Sequence, residues 1–237
     1  MQALILAGGE GVRIRPYTAV LPKPLMPIGD IPILEILIKQ LKSHGVNSII
    51  IAVGYLHHMI EAYFHDGRHH GIPISYSLEK KPLGTAGPIH LVMDKLDEDF
   101  LVLNGDLLTS LNFKNLFHAH IENNAAASIA TFKRTVDIDF GVLELEDNSE
   151  LKKYTEKPSF DYRVSMGINV FKKAAIASLI SSNDYLDIPD LMMRLKANRE
   201  KVFCYQEDCE WLDIGRLEDY NVAVDTFEKN KNIFLSD

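Results

Sequence analysis

The sequence predicts one α/β domain in three layers, with a mostly parallel central sheet and helices on both faces. Short apolar runs typical of buried strands alternate along the 237 residues with stretches whose apolar residues recur at helical spacing. Such strand–helix alternation favours a parallel sheet. No internal repeat, low-complexity segment or proline/serine-rich linker interrupts the pattern. We therefore expect residues 1–237 to form a single domain.

Each element has its own local signal. The predicted strands are Ala3–Ala7, Ser48–Val53, Ile74–Leu78, Phe100–Leu103, Ser128–Phe132, Gly167–Phe171 and Val202–Tyr205. The predicted helices are Pro32–His44, Tyr55–Phe64, Thr85–Met93, Phe113–Glu122, Ile188–Lys196 and Leu217–Lys229. In the first helix, Pro32 suits the first turn and Gly45 the end. Residues 147–149 have the composition of a hairpin turn.

Composition and charge narrow the classes of partner. The 33 acidic residues outnumber the 25 basic ones, and the net charge of −8 disfavours nucleic acid and membrane surfaces as partners. The two cysteines, Cys204 and Cys209, lack metal or redox spacing and are expected to be free thiols of a reducing compartment. No signal-peptide pattern and no apolar run of about 20 residues is present. We expect a cytoplasmic protein that binds phosphates through a few local cations.

The first predicted strand runs into a glycine-rich segment, LAGGEGVRIRP, at residues 6–16. Glycines in this place let backbone N–H groups approach a phosphate. The segment lacks the Gly-Lys-Ser/Thr of a Walker loop, and Ile14 stands where a dinucleotide fingerprint needs its third glycine. Further along, prolines on both sides stiffen the backbone at Lys23. Together these features predict a triphosphate site.

Five segments, taken in order, resemble the signature of the sugar-1-phosphate nucleotidylyltransferases. They are GGEGVR with KPL (8–13 and 23–25), PLGTAG (82–87), LNGD (103–106), EKP (156–158) and WLDIG (211–215). The resemblance spans nearly the whole chain and is closest to the catalytic domain of mannose-1-phosphate guanylyltransferases, the GDP-sugar pyrophosphorylases. It implies a Rossmann-like nucleotidyltransferase domain. No hexapeptide repeat of the β-helix that many members carry follows it, and Val12 stands where the family usually has threonine.

The resemblance implies that a sugar-1-phosphate attacks the α-phosphorus of a nucleoside triphosphate and that pyrophosphate leaves. Asp106 and Asp213 are then expected to hold Mg²⁺, which prefers carboxylate and phosphate oxygens. Asp106 follows a buried strand at the edge where open α/β sheets bind ligands. Asp213 lies among apolar residues, where a lone carboxylate is costly unless a cation pairs with it.

The remaining site residues follow from the same resemblance. The expected catalytic cations are Arg13 and Lys23 on the triphosphate and Lys157 on the sugar phosphate. The expected nucleotide-binding residues are Leu6, Ala7, Gly8, Gly9, Gly11, Glu79, Gly84 and Asp106. The expected sugar-phosphate-binding residues are Gly141, Glu156, Lys157 and Asn169. No nucleophilic side chain is needed, because the sugar phosphate is itself the nucleophile.

Glu79 carries the prediction of the base. Thymidylyl and uridylyl relatives commonly have glutamine before the corresponding glycine, and its amide both donates and accepts. A carboxylate only accepts, which suits the two adjacent donors of guanine. We therefore expect GTP as the donor, with a uridylyl- or thymidylyltransferase as the alternative. Glu79 as a solvated loop residue is the simpler interpretation.

Other interpretations stay open on the sequence alone. The chain could be a catalytically silent paralogue that senses a nucleotide sugar, although the expected cations and carboxylates are all present. Asp137-Ile138-Asp139 has the DxD spacing of metal-dependent glycosyltransferases. The histidine pairs 57–58 and 69–70 are expected on a helix surface and in a loop and not in a transition-metal site. Trp211 is expected to pack in the protein and not to stack on a base. The identity of the sugar and a homo-oligomeric state are left open.

Overall fold

The computed structural model describes residues 1–182 and 184–235. In this part of the chain the strands are β1 Gln2–Ala7, β2 Pro27–Ile28, β3 Ile31–Pro32, β4 Ser48–Val53, β5 Ile74–Leu78, β6 Asp99–Asn104, β7 Leu107–Thr109, β8 Ala127–Asp137, β9 Val142–Leu145, β10 Leu151–Thr155, β11 Ser159–Lys172, β12 Val202–Gln206 and β13 Trp211–Asp213. The helices are α1 Ile33–Ser43, α2 His57–Phe64, α3 Gly87–Leu91, α4 Phe113–Glu122, α5 Lys173–Ile176, α6 Ile188–Ala197, α7 Leu217–Lys229 and α8 Lys231–Phe234.

The central sheet has seven strands in the order β12–β8–β11–β6–β1–β4–β5. Neighbouring strands are parallel except around β11, which is antiparallel to both β6 and β8. The expectation of a mostly parallel sheet is confirmed. The carboxyl ends of β1, β4, β5 and β6 consequently lie at one edge, where the loops after them meet.

Two apolar cores cover the two faces of the sheet. Because successive side chains of a strand alternate between faces, Ala3 and Ile5 of β1 belong to one core and Leu4 to the other. The first core is filled from α1, α2 and α4, and the second from α5 and α6. This is the three-layer α/β/α arrangement that the sequence predicts. No helix in residues 1–182 and 184–235 has the length and apolar character needed to cross a membrane.

Several elements differ from the sequence prediction. Strands β8 and β11 run well beyond their predicted apolar runs and pair as an exposed arm. The predicted helix Thr85–Met93 shrinks to α3, which begins at Gly87 so that Pro88, which has no amide hydrogen, lies in its first turn. Pro32 is the cap of α1 and not a member of its first turn. The hairpin turn at 147–149 is confirmed between β9 and β10.

A short two-stranded sheet, β7 with β13, lies beside the central one. It pairs Leu107 with Asp213 and Thr109 with Trp211. The Gln40 side chain fastens this pair to α1 by donating to the Thr109 carbonyl at 2.6 Å. Because Asp106 directly precedes β7, the pairing brings two carboxylates that are 107 residues apart in the sequence to the same place.

A buried histidine fastens α4 to the amino edge of the sheet. His120 is 1% exposed; its Nδ1 lies 2.8 Å from Ser128 Oγ and its Nε2 lies 3.1 Å from Asp99 Oδ1. A neutral imidazole satisfies both partners by accepting from the serine and donating to the aspartate. Burial lowers the pKa of His120, and the hydrogen bond that its imidazole donates to Asp99 opposes this shift only in part.

We expect the folded state to lose stability in mild acid through His120. Its lowered pKa means that the folded state disfavours the imidazolium, so this contribution is complete above the ordinary value of about 6.5 and is lost as the pH falls through the folded-state pKa. Urea unfolding of the His120→Gln variant should show lower stability at neutral pH and a weaker pH dependence below it. His118→Gln, at an exposed position of the same helix, is the control. An unchanged pH dependence in His120→Gln would contradict the assignment.

Candidate active site

The loops after β1, β4, β5 and β6 are hydrogen-bonded into one floor at the carboxyl edge of the sheet. The Gly105 amide donates to the Leu6 carbonyl at 2.9 Å, and the Glu79 amide to the Val53 carbonyl at 2.9 Å. The Tyr55 amide reaches the Gly8 carbonyl at 3.3 Å. The expected nucleotide-binding segments, from 6–11, 79–84 and 104–106, therefore come together.

The glycine-rich loop is held open by contacts that need glycine. A Cβ on Gly8 would lie 2.6 Å from Glu79 Oε1, so a larger residue would displace that carboxylate. Gly11 has φ +61°, and its carbonyl accepts from Thr18 Oγ1 at 2.8 Å. Ile14, which stands where a dinucleotide fingerprint has glycine, is 1% exposed and anchors the loop in a third apolar cluster. Val12 is largely exposed.

Lys23 is a buried cation in contact with Asp106. It lies in a 3-10 turn, where the Leu25 amide donates to the Pro22 carbonyl, and only 8% of the residue is exposed. Its Nζ donates to Asp106 Oδ2. A lysine buried to this degree needs a compensating anion, and the aspartate supplies it. The stiff turn thus delivers a single positive charge to the edge of the sheet.

Asp213 completes a cluster of four charges. Loss of solvation and the neighbouring Asp106 raise the pKa of Asp213, while Lys23 and Arg13 act in the opposite direction. The backbone reinforces the arrangement, because the Ile214 amide donates to the Asp106 carbonyl at 3.3 Å. Arg13 Nη1 would lie 3.7 Å from a Cβ on Gly215, beside this carboxylate.

The cluster fits a divalent cation. Two carboxylates that repel each other offer hard oxygen ligands, and Mg²⁺ is commonly bound by one or two carboxylates together with substrate phosphates and water. Within residues 1–182 and 184–235, no group of three or more His, Cys, Asp or Glu side chains forms a complete protein-only metal cage. Such a site would leave ligand positions for phosphate oxygens.

Glu79 lies at the floor of the cleft. Its Oε2 accepts from the Leu83 amide at 3.3 Å, and burial raises the pKa of its carboxyl group. The simpler interpretation of Glu79 as a fully solvated loop residue is therefore wrong: the side chain is half-buried against the glycine-rich loop.

The residues expected to hold the sugar phosphate lie farther along the sheet. Asn169 is 1% exposed on β11, and its Oδ1 is buried with no hydrogen-bond partner among the described residues. Glu156 and Lys157 are exposed in the turn between β10 and β11, and Lys157 has φ +42°, which is unusual for a residue other than glycine. Gly141 precedes β9, where a Cβ would lie 2.3 Å from the Tyr154 hydroxyl oxygen.

The DxD motif and the two histidine pairs do not lie in a cleft with paired carboxylates and cations. Asp137 ends the exposed strand β8 and accepts from Ser159 Oγ at 2.5 Å, and Asp139 is exposed. His57 begins α2 and its Nδ1 lies 3.0 Å from Glu61 Oε1, and the histidine pair 69–70 lies in a 3-10 turn.

The centre of the Trp211 ring lies 5.4 Å from that of Phe132, and the indole N–H donates to the Met166 carbonyl at 3.0 Å. Packing thus accounts for the tryptophan, as the sequence predicts.

The contact of Asp187 with Thr85 was not predicted from the sequence. Its carboxylate accepts from both the backbone amide and the hydroxyl of Thr85, 102 residues away, in the segment that leads from Glu79 to α3. An aspartate directly before a helix suggests only a cap for that helix. No pattern local to residue 187 could have indicated this partner.

Comparison with known proteins identifies the family. The family model described as Nucleotidyl transferase matches residues 2–230. The chain belongs to this nucleotidyl transferase family. The sequence is 34% identical to UTP–glucose-1-phosphate uridylyltransferase of Synechocystis sp., over 94% of the chain, and 32% identical to mannose-1-phosphate guanyltransferase of Yarrowia lipolytica, over 93%. The chain spans 62% of the length of each of these two relatives.

Two other proteins match along nearly their whole length. The D-glycero-α-D-manno-heptose 1-phosphate guanylyltransferase of Aneurinibacillus thermoaerophilus is 30% identical, over 94% of this chain and 96% of the relative. The crystal structure of HddC from Yersinia pseudotuberculosis complexed with GMP-PN superposes with a TM-score of 0.74 at 23% identity, covering 95% of this chain and 99% of that chain. The fold expected from the sequence is thus confirmed for this nucleotidyl transferase.

The charge cluster predicts opposite effects of one substitution on stability and on cation binding. Asp213 is exposed and not enclosed by the apolar residues beside it in the sequence, so solvent screens its charge in part. Because the pKa of its carboxyl group is nevertheless raised in the folded state, Asp213→Asn should slightly increase the melting temperature of the cation-free protein. The same variant should lose the increase in melting temperature that Mg²⁺ gives the wild type.

Thermal unfolding with and without Mg²⁺ tests both effects. Asp225→Asn makes the same change of charge at an exposed position of α7 and is the control. If Mg²⁺ stabilises Asp213→Asn as much as the wild type, Asp213 is not a ligand of the cation.

Proposed function

We propose that this chain transfers a nucleoside monophosphate, GMP from GTP, onto a sugar-1-phosphate and releases pyrophosphate in a Mg²⁺-dependent reaction. The observation that carries the proposal is the cluster of Lys23, Asp106, Asp213 and Arg13 beside the glycine-rich loop, at the carboxyl edge of a nucleotidyl transferase sheet. A site that joins two polyanions needs cations on both and carboxylates to hold a metal between them. Membership of the family supports the same reaction class.

In the reaction, an oxygen of the sugar phosphate bonds to the α-phosphorus, and the bond from that phosphorus to the pyrophosphate oxygen breaks. Mg²⁺ held by Asp106 and Asp213 would supply charge neutralisation at the phosphate oxygens. Arg13 and Lys23 stabilise the charge that develops on the triphosphate, and the backbone amides of the glycine-rich loop bind its oxygens. Substrate binding would release Lys23 from its present partner, Asp106, toward the phosphates. Catalysis is positioning and electrostatics.

The geometry around Glu79 supports guanine as the base. Its carboxylate is half-buried between Gly8 and the Leu83 amide, at the far side of the glycine-rich loop from the charge cluster. Guanine presents two adjacent N–H donors to such a group, whereas uracil and thymine would place carbonyl oxygens against it. An unpaired buried acceptor costs about 1–3 kcal/mol, or roughly a tenfold to hundredfold preference. Guanylyltransferases and a uridylyltransferase both occur among the relatives, so our assignment of guanine rests on Glu79 and not on membership of the family.

The sugar phosphate is assigned to the side of the cleft formed by β11 and the hairpin β9–β10. The free Oδ1 of Asn169 is a buried acceptor that a sugar hydroxyl would satisfy. The left-handed backbone of Lys157 is a local strain of the kind that occurs at ligand contacts, and its ammonium group is available for the phosphate. Glu156 would accept from sugar hydroxyls, and the backbone of Gly141 would lie close to the ring.

The reaction is tested by measuring pyrophosphate release with Mg²⁺, GTP and a panel of mannose, glucose, glucosamine and heptose 1-phosphates. We expect release that requires both substrates. Asp106→Asn should reduce turnover by at least about a hundredfold, as expected for loss of a charged group at the reacting phosphate. No release with any pair of nucleotide and sugar phosphate would overturn the enzyme assignment in favour of a silent nucleotide-sugar sensor. Consumption of a nucleotide sugar that is retained in Asp106→Asn and lost in Asp137→Asn would favour the DxD glycosyltransferase interpretation.

Base selectivity is tested at Glu79. The wild type should show a kcat/KM for GTP about tenfold to a hundredfold above that for UTP or dTTP. Glu79→Gln should narrow this ratio, because an amide accepts only one of the two guanine donors and offers a donor to a pyrimidine carbonyl. Comparable kcat/KM values for GTP and UTP in the wild type would refute the guanylyl assignment and favour a uridylyltransferase.

Steady-state kinetics separate the roles of the two lysines. Lys157→Ala should chiefly raise the KM for the sugar phosphate, since the side chain acts in binding that substrate. Lys23→Ala should chiefly lower kcat, since it weakens charge stabilisation at the transferred group. Identical changes in the two variants would contradict this division.

A further inference from the structure

Asp187 immediately precedes α6 but its carboxylate does not cap that helix. An aspartate at this position ordinarily accepts from amides of the first helical turn, and no such bond is present. Instead Oδ1 accepts from the Thr85 amide at 3.0 Å and from Thr85 Oγ1 at 3.1 Å. Oδ2 accepts from the Tyr185 hydroxyl at 3.0 Å.

Thr85, in the loop before α3, supplies the cap of α6. Thr85 Oγ1 accepts from the Ile188 amide, the first of the helix, at 2.8 Å. Each side chain thus bonds to a backbone amide of the other segment, and these two bonds lock the segments together: Asp187 accepts from Thr85, and Thr85 accepts from Ile188. Departure from a local capping rule, with a compensating contact elsewhere, is typical of a segment whose position matters for function.

Backbone contacts continue the lock on both sides. The Ala86 and Gly87 amides both donate to the Leu186 carbonyl, at 2.8 and 3.1 Å, and the Leu186 amide donates to the Leu83 carbonyl at 2.9 Å. The segments approach so closely at Gly84 that a Cβ there would lie 2.5 Å from the Leu186 carbonyl oxygen. Residues 83–87 are therefore shaped by residues 186–188 more than by any regular structure of their own.

This lock reaches the floor of the cleft through one residue. The Leu83 amide, at the start of the locked loop, donates to Glu79 Oε2, and Glu79 Oε1 lies against Gly8. The order of contacts runs from Asp187 through the loop to Glu79 and the glycine-rich segment. A loop that shifts would move the Leu83 donor and release the carboxylate.

We infer that Asp187 is a positioning residue for nucleotide binding: it fixes the loop Leu83–Gly87 so that Glu79 is aimed at the base. The inference rests on the proposed nucleotide site. Asp187 touches neither the nucleotide nor the reacting atoms, and it acts on affinity and base selectivity and not on the chemical step.

Amide hydrogen exchange tests the contact itself, independently of any activity. Asp187→Ala should speed exchange at the Thr85 amide, and Thr85→Val should speed exchange at the Ile188 amide, because each removes the side-chain oxygen that accepts from that amide. Thr85→Ser keeps the hydroxyl and should leave the Ile188 amide protected. Unchanged exchange in both Asp187→Ala and Thr85→Val would overturn the inference at its first step.

Nucleotide binding and kinetics test the consequence. Asp187→Ala should weaken GTP binding in equilibrium dialysis and raise the KM for GTP severalfold with little change in kcat, and should narrow the preference for GTP over UTP. Asp187→Asn retains an Oδ1 acceptor for both Thr85 donors and should restore most of the affinity. Two controls keep these contacts intact: Tyr185→Phe removes only the bond to Oδ2, and Asp190→Asn changes an exposed charge on the same helix.

The outcomes separate this inference from the proposed function. Faster exchange at Thr85 with wild-type affinity and selectivity for GTP would overturn the positioning role while leaving the reaction intact. A fall in kcat with an unchanged KM would also overturn it. If the wild type binds GTP in dialysis but releases no pyrophosphate with any sugar phosphate, the proposed function fails, and the dialysis results still decide the role of Asp187.

Discussion

The charge cluster of the cleft depends on the pairing of β7 with β13. These are strands of three residues each, and their register places Asp213 opposite Leu107, next to Asp106. Without this pairing the two carboxylates would belong to unrelated loops. With it, loss of solvation and the nearby Asp106 carboxylate together raise the pKa of Asp213, and the cations Lys23 and Arg13 oppose that shift. Lys23 supplies one such charge from a buried turn, and Gln40 of α1 holds the strand pair in place.

The strand ends, the glycine-rich loop and Glu79 form the rest of the cleft around that cluster. The parallel strands β1, β4, β5 and β6 end at one edge, and glycines at 8 and 11 leave space that a side chain would fill. Glu79 follows β5 and Asp106 follows β6, on opposite sides of β1 and its glycine-rich loop, so the proposed base and phosphate sites would lie at separate ends of one cleft.

The sequence predicts the layers of the fold well, because buried strands and amphipathic helices have strong periodic signals. Strands β4 and β5 and helices α4 and α7 have the predicted bounds. The exposed arm of β8 and β11 was missed, although Phe160, Tyr162 and Val164 recur at the spacing of a strand, because the prediction rests on buried apolar runs alone. Helix α3 is shorter than predicted because Pro88, which has no amide hydrogen, is tolerated only in the first turn. The amides of Thr85 and Ala86 bond instead to residues 187 and 186, and no local pattern indicates these distant acceptors.

For the site, residues that belong to continuous motifs could be predicted, and their partners could not. Asp106, Lys23 and Glu79 stand out by sequence and do reach the same cleft. Two of the contacts join residues far apart in the chain: the ion pair of Lys23 with Asp106 and the hydrogen bonds between the segments of Thr85 and Asp187. The unsatisfied oxygen of Asn169 likewise depends on what packs around it. Such contacts are set by packing, which a single sequence does not display.

The position of the cation tests the account most directly. Crystals of the protein with Mn²⁺ and a non-hydrolysable GTP analogue would locate the metal by its anomalous scattering. The account predicts a peak within bonding distance of carboxylate oxygens from both Asp106 and Asp213, with the nucleotide phosphates completing the coordination. A metal bound at Asp137 and Asp139, or one that reaches neither Asp106 nor Asp213, would contradict it.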